Sequence, residues 1–290
     1  MPNKPSLPPN LYTKDYFLHA CEGYEEFSET QGRRLSRRLG AAFEVATVRP
    51  GMKVLDVGCG RGEILRHCAK LGADAYGIDY APVAVDLAKQ LIEHRADQDE
   101  PNDGARRQSA AAAESGAPGA SEGKIGVSQA DAKSLPFPDN YFDRVLMFDV
   151  VEHLYPWELE ACLAEVRRVL KPGGAFIAHT APNVWYDHYA YPWVRLVRSL
   201  MGQGAKYPAN PRAFNVAANV DVHVNEQSQW SLWRTLRRAG FRQVKAWLDS
   251  PPQHRHENLV LAAARFVLFE LPPFRYFFER EVFAVGEKKS

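Results

Sequence analysis

The chain has 290 residues, 46% of them hydrophobic, and a formal net charge of +1. This length suits one α/β domain with insertions, and the near-zero charge excludes a global field that would attract nucleic acid or an anionic membrane. The four cysteines are scattered without C-x-x-C spacing, which argues against a zinc knuckle or a disulfide framework and favours a reducing compartment. We therefore predict a cytoplasmic protein.

Residues 1–48 are predicted to form a disordered tail followed by a helical segment. Residues 1–10 are polar and proline-rich, which does not fit a signal peptide. The helical segment combines aromatic residues with a basic stripe from Arg33 to Arg38, which we interpret as a solvated helix face. No apolar run in the chain reaches the ~18 residues of a spanning helix, so no spanning segment is predicted.

The run VLDVGCGRGEIL is typical of a short strand, a glycine-rich turn and the start of a helix. Gly58, Gly60 and Gly62 let the backbone bend sharply and let a ligand approach closely. Asp56 precedes this turn, and Asp79 ends the next strand-like run, where an acid is placed to accept two hydrogen bonds from a ribose diol. The pattern predicts a nucleoside-containing cofactor at the carboxyl edge of a parallel sheet.

The spacing of the glycines discriminates between nucleoside cofactors. A dinucleotide fingerprint, G-x-G-x-x-G, would place its third glycine where this chain has Glu63. A pyrophosphate at this helix N-terminus would meet a carboxylate of like charge, so a cofactor without phosphate fits better. An NAD-dependent oxidoreductase remains the alternative, which nicotinamide binding would identify.

From Lys53 onward, candidate strands and helices alternate, which is typical of a parallel sheet wound with helices. The predicted strands are Lys53–Val57, Asp74–Ile78, Lys124–Ser128, Phe142–Phe148, Ala175–Thr180, Gln243–Leu248 and Glu281–Gly286. The helix before the fifth strand carries one apolar stripe from Leu159 to Leu170 and is predicted to end at Lys171, before a proline and two glycines.

Further motifs follow the glycine turn in a fixed order: GIDYAP, QADAKSLPFPDNYFDRVLMFDVVEHL and EVRRVLKPGGAFI. Together they resemble the class I S-adenosylmethionine-dependent methyltransferases, in particular the type 11-like small-molecule family, over roughly residues 45–183 and again at residues 239–241. The resemblance implies a Rossmann-like, doubly wound α/β fold. The seven-stranded sheet would be mostly parallel with an antiparallel last strand. The resemblance also implies that the cofactor is S-adenosylmethionine and that the reaction is methyl transfer to a small molecule.

The same resemblance implies a role for individual residues at the strand ends. The implied cofactor-binding residues are Asp56, Gly58, Gly60, Gly62, Asp79, Tyr80, Asp131, Ala132, Phe148 and Asp149. Asp56 and the glycines would line the pocket for the methionine tail, Asp79 would accept from the ribose, and Tyr80 would pack on the adenine. Asp131 would receive the adenine amino group beside a backbone contact at the next residue. The alternative for Asp131 is a turn or cap residue.

His153 is the predicted catalytic residue. It lies in DVVEHL, just past the fourth predicted strand, at the edge where ligands bind in such sheets. A histidine there can take a proton from a hydroxyl or amine acceptor, which slightly favours oxygen over nitrogen or carbon. The alternative is that His153 only fixes its loop, and Glu152 is a weaker candidate base. His179, His188 and His223 are further candidates to face the acceptor, and no histidine spacing predicts a metal site.

Two insertions interrupt the predicted cofactor-binding core. We place this core at residues 49–182, and residues 225–290 are predicted to complete the same sheet. Residues 94–123 are rich in Ala, Gly, Ser and charge and are predicted to be flexible. Residues 183–224 carry several Trp and Tyr residues and are predicted to cap an acceptor with an apolar or ring-bearing body. The alternatives for the amphipathic helix at Trp193–Met201 are a peripheral membrane contact or a subunit contact.

The predicted partner is a small-molecule acceptor and not nucleic acid, and the sequence does not indicate an oligomeric state. One rival is a methyltransferase acting on RNA or protein, but no basic domain or recognition module supports it. A second rival is a binding module that keeps the fold without catalysis. The intact glycine and acidic motifs argue against this second rival.

Overall fold

The computed structural model describes residues 4–21, 23–96, 121–213, 219–249 and 259–289. Most of the predicted flexible insertion 94–123 and residues 214–218 of the predicted cap lie outside these ranges. The described strands are β1 (Lys53–Val57), β2 (Asp74–Asp79), β3 (Ile125–Gln129), β4 (Phe142–Phe148), β5 (Leu170–Thr180), β6 (Arg242–Leu248) and β7 (Val282–Glu287).

These seven strands form one sheet in the order β3-β2-β1-β4-β5-β7-β6. The neighbours from β3 to β5 pair in parallel, and β7 pairs antiparallel with both β5 and β6. The predicted mostly parallel sheet with an antiparallel last strand is therefore confirmed. The strand order reverses between β1 and β4, so the carboxyl ends of these two strands flank the crevice where open sheets of this kind bind ligands.

Helices connect and cover the strands. They are α1 (Tyr24–Thr30), α2 (Arg37–Ala46), α3 (Glu63–Lys70), α4 (Pro82–Ala96), α5 (Pro156–Val169), α6 (Tyr191–Leu200), α7 (Asn219–Val222), α8 (Gln229–Arg238), α9 (Leu259–Glu270) and α10 (Phe274–Phe278). Short π or 3-10 turns occur at Pro9–Leu11, Tyr16–Ala20, Val151–His153, Tyr186–Ala190, Gly204–Lys206 and Pro211–Ala213. Among the described residues, no helix has both the length and the apolar character that a bilayer crossing requires.

The two faces of the sheet bury separate apolar layers, because successive side chains of a strand point to opposite faces. Leu55 of β1 belongs to a layer with Leu163 of α5 and Leu236 of α8. Its neighbour Val54 belongs to the opposite layer, which includes Leu65 of α3. Helices on both faces fix the position of the strand ends, and with it the position of the crevice.

The connection between α5 and β5 differs from the prediction. β5 begins at Leu170 rather than Ala175, because Leu170 already pairs with Phe142 of β4. The chain then continues through its two glycines within the sheet, with a left-handed φ of 76° at Gly173. The Gly173 amide donates to the Lys288 carbonyl, and the Lys288 amide donates to the Gly174 carbonyl. The expected turn is therefore part of the sheet.

The N-terminal residues also differ from the prediction of a disordered tail. From residue 4 onward they pack on α5, where the Ser6 hydroxyl donates to Glu158 and the Trp157 indole donates to the Pro5 carbonyl. The basic stripe is a solvated face only in part, because Arg38 lies 3.3 Å from the Asp149 carboxylate.

Arg38 belongs to a buried ion network that joins the ends of β4, β5 and β7. His179 of β5 is fully buried, and its Nδ1 and Nε2 lie 2.9 and 3.0 Å from the carboxylates of Asp149 and Glu281. Burial alone would lower the pKa of His179, but the charge of Asp149 and the hydrogen bonds to both carboxylates outweigh burial and raise the pKa to about 9. His179 therefore positions the strand ends and does not face an acceptor.

Gly77 of β2 is predicted to be required for packing. A Cβ atom there would lie 2.5 Å from Leu65 Cδ1 and 2.9 Å from Cys59 Sγ. We expect Gly77→Ala to lower the free energy of unfolding by about 1–3 kcal/mol through overpacking. Gly126→Ala is the matched control, since a Cβ atom on this exposed strand glycine meets only Tyr76, at 3.8 Å. Urea unfolding measures both, and equal effects would contradict the packing argument.

The His179 network predicts a pH-dependent stability difference. A raised pKa in the folded state stabilises the protein fully below the unfolded pKa of about 6.5, and this contribution is lost as pH rises through about 9. We expect the stability deficit of His179→Gln to be greatest near pH 6 and to shrink by on the order of 2–3 kcal/mol by pH 9. Urea unfolding across this range checks it, with exposed His188→Gln as control. A deficit independent of pH would refute it.

Candidate active site

A cavity of about 680 Å³ opens at the carboxyl edge of the sheet, beside the ends of β1, β2 and β4. This volume lies in the range of about 300–1,000 Å³ that is common for small-molecule sites. Nine of the ten residues predicted to bind the cofactor line this cavity, as does the predicted catalytic His153. The tenth, Gly62, is the N-cap of α3 and is not part of the lining.

The glycine turn is held against the end of β2. The amides of Gly58 and Cys59 donate to the Ile78 carbonyl at 2.8 and 2.9 Å. Gly58 has φ of 77°, and a Cβ atom there would lie 2.4 Å from Val150 Cγ2. Only glycine tolerates this conformation and the close approach of Val150, so Gly58 is required for the turn to pack against the residue that follows Asp149 at the cavity.

Asp79 is anchored to the same turn. Its Oδ2 accepts from the Gly60 amide at 3.0 Å, and its Oδ1 accepts from the Ala81 amide at 2.9 Å. Burial raises the pKa of Asp79, and these amides oppose that shift. Each carboxylate oxygen keeps a second lone pair, so the group can still accept hydrogen bonds from a diol in the cavity.

Asp56 lies deeper, with 3% of its surface exposed. Burial, together with the charges of Asp79 and Glu63, raises its pKa to about 7. A cation beside it would keep this carboxyl ionised and would be stabilised in return. These two carboxylates therefore fit a ligand that presents an ammonium group to Asp56 and a diol to Asp79.

Glu63 does not act as the sequence argument assumed. Its carboxylate is buried and lies 2.8–2.9 Å from the Arg61 guanidinium, which also donates to the Phe17 carbonyl. The helix N-terminus therefore carries a balanced ion pair rather than a lone negative charge. The Arg61 contact also joins the N-terminal segment to the glycine turn.

The expected adenine end of the cavity contains Tyr80, Asp131 and Ala132. Asp131 Oδ1 accepts from the Lys133 amide at 2.9 Å, and Oδ2 lies 3.0 Å from Lys133 Nζ. Asp131 therefore closes a turn, as the alternative interpretation held, while its partly exposed side chain also faces the cavity. The Tyr80 ring is partly exposed, with Lys133 Nζ 5.7 Å from its centroid.

Phe148 and Asp149 lie where β4 ends. Asp149 has a left-handed φ of 54°, and its amide donates to the His179 carbonyl at 3.0 Å. Burial would raise the pKa of Asp149, but Arg38 and His179 hold it well below its usual range. The carboxylate is therefore ionised and already paired on the protein side.

His153 is held in one orientation. Its Nδ1 lies 3.1 Å from the Val222 carbonyl, which fixes the proton on Nδ1 and leaves the Nε2 lone pair available. Burial lowers its pKa to about 4, so the imidazole is neutral near pH 7. The rings of Tyr12 and His223 meet it edge-on, with centroids 5.7 and 5.0 Å away. The contact with Val222 also matches the alternative role in fixing the loop.

The cavity walls include residues that the motif analysis did not identify as site residues. Aromatic side chains of the N-terminal segment line it: Tyr12, Tyr16, Phe17 and Tyr24. Their signal in the sequence is only an aromatic-rich helical stretch, and nothing local indicates that it folds over the glycine turn. From the sequence His223 is only one of several candidate histidines, although its ring meets that of His153 in the structure.

The predicted aromatic cap contributes differently from expectation. Its described residues at the cavity are Pro211, Arg212, Asn219 and His223. Its buried tyrosines instead form a separate cluster: Tyr186 and Tyr191 pack with Tyr207, Phe277 and Phe278. Trp193 is 66% exposed on α6, and exposed His188 lies outside the cavity lining. The wall beside His153 is therefore built largely by the N-terminal segment.

Comparisons with known proteins agree with this geometry. Residues 55–178 match the family model of a methyltransferase domain. The chain is 32% identical over 177 residues to a sterol 24-C-methyltransferase of Gibberella zeae, which covers 57% of this chain and 40% of that protein. It is 31% identical over 168 residues to a ubiquinone/menaquinone biosynthesis C-methyltransferase of Bordetella avium, which covers 54% and 56% respectively.

The match to these two curated relatives thus spans about half of their length. Among solved structures, the fold is similar to that of a putative methyltransferase in complex with the Trm112 methyltransferase activator of Haloferax volcanii. The TM-score is 0.56 at 16% identity, covering 96% of this chain and 99% of that one, which supports the fold alone. Residues 55–178 therefore form a methyltransferase domain, whose ordered motifs and cavity are similar to those of the class I S-adenosylmethionine-dependent methyltransferases.

Proposed function

We propose that this chain transfers the methyl group of S-adenosylmethionine to a hydroxyl group of a small, ring-bearing acceptor. One observation carries the proposal: a single cavity joins the Asp56–Asp79 end, which suits an ammonium group and a diol, to an aromatic end that contains His153. A site built in this way holds donor and acceptor side by side. In-line positioning of the two reactants is the main requirement of methyl transfer.

The cofactor supplies a methyl group already activated on a sulfonium. Asp79 would hold the ribose from its anchored position, Asp56 would pair with the ammonium group, and the Gly58 turn would let the methionine tail lie against the backbone. Asp131 would receive the adenine amino group. Hydrogen bonds to charged groups contribute roughly 1.5–3 kcal/mol each, enough to dominate donor affinity.

On the acceptor side, Tyr12 and Tyr16 would pack against the ring, and the Nε2 lone pair of His153 would accept from the acceptor hydroxyl. As the oxygen bonds to the methyl carbon, the carbon–sulfur electron pair stays on sulfur and the hydroxyl proton leaves through His153 to water. The low pKa of this buried imidazole makes it a weak base. Its main contribution is therefore orientation of the hydroxyl.

Transfer to a ring carbon is the second candidate. The two curated relatives described above are both named C-methyltransferases. A hydroxyl held at His153 would also donate electron density into an aromatic ring, so the same contact suits carbon as the attacking atom. The two candidates differ in the product and not in the binding site.

We expect no nucleic acid in this cavity. The formal net charge of +1 provides no field for a polyanion.

The four cysteines, all in described parts of the chain, are unpaired, and this agrees with the proposal of a reducing, cytoplasmic environment.

Donor binding tests the first half of the proposal. We expect Asp79→Asn to weaken S-adenosylmethionine binding by about tenfold or more, because a charged acceptor of two ribose hydrogen bonds is lost. Isothermal titration calorimetry gives the dissociation constants. Asp86→Asn, on the exposed surface of α4, is the matched control and should bind like the wild type. Unchanged affinity in a folded Asp79→Asn protein would contradict the proposed role of Asp79 in holding the ribose.

Product analysis tests the second half. We expect a panel of hydroxylated aromatic compounds, incubated with donor carrying a ¹³C-labelled methyl group, to yield an O-methyl product by NMR; a ring-methyl product would select the second candidate. His153→Ala should lower kcat on the accepted compound by about 10²-fold, because the hydroxyl loses the contact that orients it toward the methyl group. Donor affinity should stay within about twofold, with His188→Ala as control. Wild-type turnover of His153→Ala would contradict the acceptor role.

A further inference from the structure

We propose that Glu152, His153 and His223 form a binding site for one divalent transition-metal ion, of the kind represented by Zn²⁺ and Mn²⁺. Each side chain offers one ligand atom, and these atoms lie within 4.8 Å of one another in the cavity wall. These three described residues thus bring two imidazoles and one carboxylate together. The sequence predicted no metal because His223 is far from the other two along the chain.

The backbone builds this convergence. The Glu152 carbonyl accepts from the amides of Val224 and Asn225 at 2.8 and 3.1 Å. On the other side of His223, the Val222 carbonyl lies 3.1 Å from His153 Nδ1. The segment that carries His223 is therefore clamped on both sides to the turn that carries Glu152 and His153, which holds the three side chains together before any ion binds.

Two of the three ligands, His153 and Glu152, also have the outer contact that orients a metal-binding side chain. Metal-bound histidines commonly donate their second ring N–H to a carbonyl or carboxylate, which orients the ligand nitrogen. His153 has this arrangement, since Nδ1 faces the Val222 carbonyl and Nε2 is left for an ion. Glu152 is likewise fixed, because its Oε2 accepts from the Thr180 hydroxyl at 2.7 Å.

His223 supplies an independent indication of a ligand. Its side chain is 6% exposed and its Nδ1 has no hydrogen-bond partner, although Glu226 Oε1 lies 3.8 Å away. A buried polar atom left without a partner is destabilising. An ion at this cluster would either bind that nitrogen directly or, bound at the other nitrogen, draw the Nδ1 hydrogen toward Glu226.

The donor set defines the class of ion. Two imidazoles and a carboxylate suit Zn²⁺, Mn²⁺ or Fe²⁺ rather than Ca²⁺ or Mg²⁺, which prefer oxygen ligands. Three protein ligands leave coordination positions open on the cavity side. On the proposed function, which this last step requires, the bound ion would replace the contact that the His153 Nε2 lone pair otherwise makes to the acceptor hydroxyl: an open position would take the acceptor oxygen and ease loss of its proton.

Metal titration of the EDTA-treated, dialysed full chain tests the site without donor or acceptor. We expect calorimetry with ZnCl₂ and with MnCl₂ to show one saturable equivalent for at least one ion, and that ion to raise the wild-type Tm. Glu152→Gln, His153→Ala and His223→Ala should each weaken binding by at least tenfold. His94→Ala and His188→Ala, which remove exposed histidines elsewhere, should bind like the wild type.

Far-ultraviolet circular dichroism of the metal-free variants separates lost binding from lost folding, and His223→Asn replaces His223→Ala should the latter unfold. No saturable binding to the wild type, or equal affinity in the wild type and all three folded variants, would overturn the site. Donor affinity measured in EDTA tests the proposed function separately, so the failure of one proposal is distinguishable from failure of the other.

Discussion

The contact between the Asp79 carboxylate and the amides of the glycine turn and of Ala81 is the constraint on which the site depends. It fixes the end of β2 against the bend after β1, while the Ile78 carbonyl holds the first two amides of the bend. A buried carboxylate is costly unless its oxygens accept hydrogen bonds. The same contacts therefore stabilise the turn and present the acid to a ligand.

Local sequence features predicted the parts of the molecule that local interactions determine. The glycine turn, the two acids and the strand pattern could be located because each depends on neighbouring residues. Arg38, His179 and His223 could not be assigned, since their roles arise from contacts between segments far apart in the chain. β5 begins earlier than expected for the same reason: pairing with distant segments holds its two glycines in the sheet, although Gly173 keeps a left-handed φ of 76°.

The two ends of the cavity have different chemistry. At the Asp79 end, backbone amides and carboxylates form a polar site that is built from the glycine turn and the acids of the family motifs. At the His153 end, burial in aromatic surroundings keeps both His153 and His223 neutral, since it lowers the pKa of each to about 4 and about 3. Neutral imidazoles retain lone pairs, so this end can accept a proton, a hydrogen bond or a cation.

The aromatic wall beside His153 comes from Tyr12, Tyr16 and Phe17, joined to the glycine turn through Arg61. All three residues precede the stretch 55–178 that matches the family model, and His223 follows it. On the proposed function, most of the wall that contacts the acceptor therefore lies outside the stretch that holds the donor, with His153 inside it. Changes in the flanking segments would then alter the choice of acceptor while the donor site stays intact.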